Sequence, residues 1–175
     1  GKTVARAYLA AKIANRAPEM ADLHHSTPFL IHVADLGLPL TNAQKPEDLL
    51  KPIIDFLGEK VPVFDLPRVP NFVQYSFQNG RALLLLDGVD ELPQAAIQET
   101  ANYLRTLLKA YPQTRVVTTG ALEYVDGLQT LGFVPLALMP WNREQQLRFI
   151  QRWSELWQRY VAMEAWAQTT AQPVD

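Results

Sequence analysis

Between residues 3 and 15, Val4, Ala7, Tyr8, Ala11 and Ala14 recur at three- and four-residue steps, and no Gly or Pro interrupts before Pro18. That spacing predicts a helix at the very start of the chain. After a polar stretch with His24 and His25 comes Pro28-Phe29-Leu30-Ile31-His32-Val33, short, apolar and followed by Asp35 and Gly37. It has the pattern of a buried strand. Leu49, Leu50, Ile53, Ile54 and Leu57 then repeat at helical spacing between a first-turn Pro46 and a closing Gly58. Pro52 falls inside this helix and leaves its start open. The Pro-rich stretch 61–70 is expected to be a loop, and 72–77 a short helix ending at Asn79-Gly80.

The run Arg81-Ala82-Leu83-Leu84-Leu85-Leu86-Asp87 is apolar without alternation. A central strand of a parallel sheet, covered on both faces, has that pattern. Pro93 opens a helix to about Ala110, with Ile97, Ala101, Leu104, Leu107 and Leu108 on its apolar side. Thr114-Arg115-Val116-Val117-Thr118-Thr119 is β-branched and strand-like. The segment 133–138 is expected to be a further strand. Asn142, with Gln145 three residues on, has the form of a capping box leading a helix to about Tyr160. Strands alternating with helices predict an α/β fold, a three-layer α/β/α sandwich with a mostly parallel sheet.

Composition narrows this picture more than it directs it. The 175 residues are 48% hydrophobic and 19% charged, which excludes a disordered or fibrous chain. A net charge of −2 without a basic stripe disfavours a nucleic-acid partner. The absence of Cys rules out a disulfide framework or thiolate metal site and fits a cytoplasmic location. No apolar run approaches the roughly 20 residues needed to cross a bilayer, so no membrane partner is expected. A chain that opens Gly1-Lys2-Thr3 instead of Met is read as a fragment.

Two segments carry candidate chemistry. Gly1-Lys2-Thr3 matches the last three positions of the phosphate-binding pattern G-x-x-x-x-G-K-[ST], in which backbone N–H groups at a helix N-terminus cradle phosphate, the Lys reaches the outer phosphates and the Thr hydroxyl joins the Mg²⁺ shell. Asp87 stands at the carboxyl end of the apolar strand, where open α/β sheets bind ligands, with Asp90 and Glu91 close behind. A hard cation needs few protein oxygens beside a nucleotide's own phosphates, and a second acid can orient or deprotonate water. A solvated acidic turn, with Asp90 or Glu91 capping the next helix, is the plainer alternative. His24, His25 and His32 lack the spacing of a metal set, and Leu147, Ile150, Trp153, Leu156 and Trp157 are expected to be a core-facing stripe rather than an aromatic ligand box.

Leu83-Leu84-Leu85-Leu86-Asp87-Gly88-Val89-Asp90-Glu91-Leu92 resembles the Walker B signature of NACHT domains, P-loop NTPases of the STAND class of signal-transduction ATPases. These have a tiny residue directly after the metal-binding Asp and an acid displaced further along. The resemblance spans 1 to about 157 and implies a nucleotide-binding core over 1–140 that lacks the strand before the P-loop, followed by the start of a helical subdomain over 141–175. It also implies that Gly1, Lys2 and Thr3 bind phosphate, that Thr3 and Asp87 hold Mg, that Asp90 and Glu91 are the catalytic acids with Asp90 the preferred base, and that Thr119 lies near the γ-phosphate. The cofactors would be Mg and ATP or GTP, with nucleotide state governing homo-oligomerisation of the intact protein. Family members commonly continue with Arg-Pro after the Thr/Ser pair, where this chain has Gly120-Ala121. Two rivals follow: a hydrolysis-deficient, NACHT-like interaction module, and another P-loop enzyme such as an AAA+ ATPase. With half a phosphate loop and a missing central strand, the chain alone is expected to bind nucleotide poorly and to show a gap or a displaced final strand.

Overall fold

The computed structural model describes residues 2–40, 44–119, 128–137 and 139–164. The chain divides into two compact units, Gly1–Pro135 and Leu136–Asp175. In the first unit the elements run α1 (Lys2–Ala14), β1 (Thr27–His32), α2 (Lys51–Gly58), α3 (Val69–Gln78), β2 (Ala82–Asp87), α4 (Gln94–Ala110) and β3 (Arg115–Thr118), with short 3-10 turns between several of them. Helix α5 (Arg143–Tyr160) lies in the second.

The fold is mixed α/β around a three-stranded parallel sheet in the order β1-β2-β3. β2 is central, and its five apolar residues are all buried, which is why the sequence there shows no alternation. Its side chains still alternate between faces. Leu84 and Leu86 join Phe29, Ile31, Ile53, Val73, Phe77, Leu104 and Leu107 in the main core, whereas Leu83 and Leu85 pack against Ile13 of α1 on the opposite face. With strands added in one direction, right-handed crossovers deliver α2, α3 and α4 to the same side, and that side holds the larger core. Helix α1 covers the other.

Local chemistry accounts for the boundaries. The helix expected from Pro46 to Gly58 is a 3-10 turn, Pro46–Leu50, followed by α2, with Pro52 in the first turn of α2. Pro52 has no N–H to continue a ladder from the preceding turn, so the α-helix starts afresh around it. The expected loop over 61–70 contains a 3-10 helix, Val63–Arg68, and Pro70 then occupies the first turn of α3. Neither Asp90 nor Glu91 caps α4, whose N-cap is Pro93.

The expected strand at 133–138 is not found. Residues 133–137 pair with no strand, Val134 is 79% and Leu136 91% exposed, and position 138 lies outside the described residues. Pro135 explains this, because a proline within an apolar run removes a ladder donor that a central strand needs. Among the described residues β3 therefore pairs with β2 alone, and its Arg115 and Val117 are exposed. In the second unit the Asn142 capping box forms as expected, Asn142 Oδ1 accepting from Gln145 N and Gln145 Oε1 from Asn142 N, both at 2.9 Å. The stripe is a correction: Leu147, Ile150, Trp153 and Leu156 share a face, but no residue of α5 is buried. Periodicity identifies an apolar face without identifying what covers it.

Candidate functional site

Parallel strands end together, so the carboxyl ends of β1, β2 and β3 place His32, Asp87 and Thr119 along one edge of the sheet. His32 and Asp87 are register partners, and Thr119 follows directly after β3. Asp87 Oδ1 accepts hydrogen bonds from Gly88 N at 2.8 Å and from Thr119 Oγ1 at 3.4 Å. Gly88 has φ of 78°, and a Cβ there would overlap the His32 ring. The tiny residue after Asp87 is thus required twice in this chain, by a left-handed backbone and by the imidazole beside it.

From Gly88 the chain enters a single 3-10 turn, Val89–Glu91. Val89 is buried and pins the turn, so the two acids beside it diverge. Asp90 Oδ2 lies 2.6 Å from Lys2 Nζ, and Glu91 Oε2 lies 3.4 Å from His32 Nε2. The charged hydrogen bond from Lys2 holds the Asp90 carboxyl below its usual range, with burial opposing.

Helix α1 contributes a second cation. Arg6 lies one turn beyond Lys2 on the same side of the helix, is 2% exposed, and faces Asp87 Oδ2 as an ion pair. Its Nε points to the Lys2 carbonyl at 3.5 Å. Burial draws the guanidinium pKa down, while the Asp90 and Glu91 carboxylates pull it up. An arginine keeps its proton under such a balance, so the site contains two fixed cations.

The residues singled out by sequence separate as follows. Lys2, Asp87, Asp90 and Thr119 come together from three distant segments, with Glu91 at their margin. Thr3 sits exposed on the first turn of α1 and is not drawn into this cluster, and Gly1 lies outside the described residues. Arg6 and His32 were not singled out as site residues. The available signal for Arg6 was a charge in an Ala-rich helix, one turn after the phosphate-motif lysine. For His32 it was a place at the end of the strand adjoining the Asp87 strand.

No protein-family model, curated protein or solved structure matches this chain. The chemistry therefore rests on the donor set. Among the described residues no group of three or more His, Asp or Glu is placed to hold a metal. The Asp87 carboxylate and Thr119 hydroxyl are hard oxygens of the kind Mg²⁺ takes, and such an ion needs only one or two of them when a polyphosphate supplies others. Lys2 and Arg6, at the amino end of a 13-residue helix, offer charged donors suited to phosphate oxygens. No helix among the described residues is long and apolar enough to cross a membrane.

Proposed function

We propose that this cluster is the phosphate and metal end of a nucleoside triphosphate site in a NACHT-like P-loop NTPase. The observation that carries the proposal is the convergence of Lys2, Asp87, Asp90 and Thr119 at the carboxyl end of a parallel sheet, where α/β proteins bind ligands. Mg²⁺ held by Asp87, with the Thr119 hydroxyl beside it and Thr3 on the first turn of α1 as the alternative hydroxyl, would neutralise charge on the phosphates of ATP or GTP. Lys2 binds the outer phosphate oxygens and leaves Asp90 to do so. Asp90, once released, would accept a proton from a water whose oxygen attacks the γ-phosphorus, as the bond to the bridging oxygen breaks and the nucleoside diphosphate leaves; Glu91 is the alternative base. Thr119 directs its hydroxyl toward the same region. Nucleotide state would then govern assembly of the protein into homo-oligomers.

The test is a pair of substitutions in the full-length protein. Lys2→Ala should weaken Mg-ATP binding at least about tenfold, whereas Asp90→Asn should keep binding and lose turnover. Unchanged hydrolysis in Asp90→Asn would move the base to Glu91.

A second reading, an interaction module without turnover, is favoured by two observations. Both site cations are already paired with the acids they would need to leave, and Gly120 follows Thr119 where an arginine would be expected. In that case Mg-ATP binds and no phosphate is released.

A further inference from the structure

A carboxylate can take up a divalent cation only through an oxygen that is free to coordinate. Asp87 has none to spare: Oδ1 accepts from Gly88 N and Thr119 Oγ1, and Oδ2 faces the Arg6 guanidinium. The Arg6 contact is unusual in kind. Nη2 is the atom that meets Asp87 Oδ2, whereas Nη1 is buried without an acceptor of its own. A buried guanidinium with unmade hydrogen bonds bears the full cost of desolvation and recovers only part of it.

We infer that Arg6 is a built-in counter-cation for Asp87, which keeps the carboxylate from binding a divalent cation by itself and yields it only when a polyphosphate gives the guanidinium new acceptors. The inference rests on the reading of Asp87 as a metal-binding carboxylate. Two positive charges cannot share one carboxylate in a poorly solvated site without strong repulsion, so cation and guanidinium compete for it. Anionic oxygens are the acceptors that could draw Arg6 away without stranding a bare charge, and phosphate matches the guanidinium fork. Lys2 and Arg6 occupy successive turns of one side of α1, so a polyphosphate reaching Lys2 also comes within range of Arg6. Metal and nucleotide then bind together, never the metal first.

Mn²⁺ alone tests this on the 175-residue chain, with the free-ion electron paramagnetic resonance signal as readout and circular dichroism to check folding. Wild type should take up no Mn²⁺ below millimolar concentration. Arg6→Met and Arg6→Gln should bind at least about tenfold more tightly, as expected when a buried like charge is removed, and adding Asp87→Asn should erase that gain. Arg6→Lys, which keeps a cation, should stay close to wild type. Tight, Asp87-dependent Mn²⁺ binding by the wild type would overturn the inference even if every Arg6 variant failed to fold. Equal affinity in wild type and Arg6→Met would do the same. Because no nucleotide is present, this result is independent of whether Mg-ATP binding depends on Lys2, which tests the nucleotide reading.

Discussion

At Gly88 the backbone turns with φ of 78° immediately after the strand, and the His32 ring occupies the space a side chain would need. Gly88→Ala should cost about 1–2 kcal/mol for the left-handed conformation alone, with a further penalty from the imidazole. Urea denaturation of Gly88→Ala, His32→Ala and the double variant separates the two, since only the overlap part is relieved by removing the ring. The Lys2–Asp90 pair sets a pH dependence of definite sign. Asp90 has a carboxyl pKa lowered from its ordinary 3.8, so its contribution to stability is fully present above that value and fades as pH falls through the lower, folded value. The side chains are 43% and 22% exposed, so screening keeps the contribution below about 1 kcal/mol. The stability difference between wild type and Asp90→Asn should be level from pH 7 to about 4 and shrink below that; a difference that grows on acidification would contradict the pairing.

Strand β2 is the element on which the rest depends, because it is covered on both faces and carries Asp87 at its end. Leu85→Ala, on the α1 face and fully buried, should cost about 2–5 kcal/mol by the usual penalty for a core cavity. It should also loosen α1 and with it the placement of Lys2, visible as faster amide exchange in α1 than in α4. Elements with one dominant local signal were legible in the sequence: β2 from its unbroken Leu run, α5 from its capping box, α4 from Pro93 and its apolar stripe. Those with competing signals were not. Pro70 reads as a loop residue but serves the first turn of α3. The apolar 133–137 looks like a strand until Pro135 is counted as a missing donor.

In the molecule as a whole, the site follows from topology. Three parallel strands end on one edge, so Asp87 and Thr119 could be placed together from sequence once both strands were recognised. The presence of Arg6 and His32 there could not, because it depends on how α1 lies across the sheet and on the β1 to β2 register. The structure also divides the cations between two acids, Lys2 with Asp90 and Arg6 with Asp87, a pairing that spacing along the chain does not specify. The central claim is that this cluster receives the phosphates of a nucleotide. Calorimetric titration of Mg-ATP into the full-length protein, beside its Lys2→Ala variant, tests it most directly. Saturable binding that weakens at least about tenfold on losing one charged hydrogen bond is the expected result; no binding, or equal binding by both proteins, would contradict it.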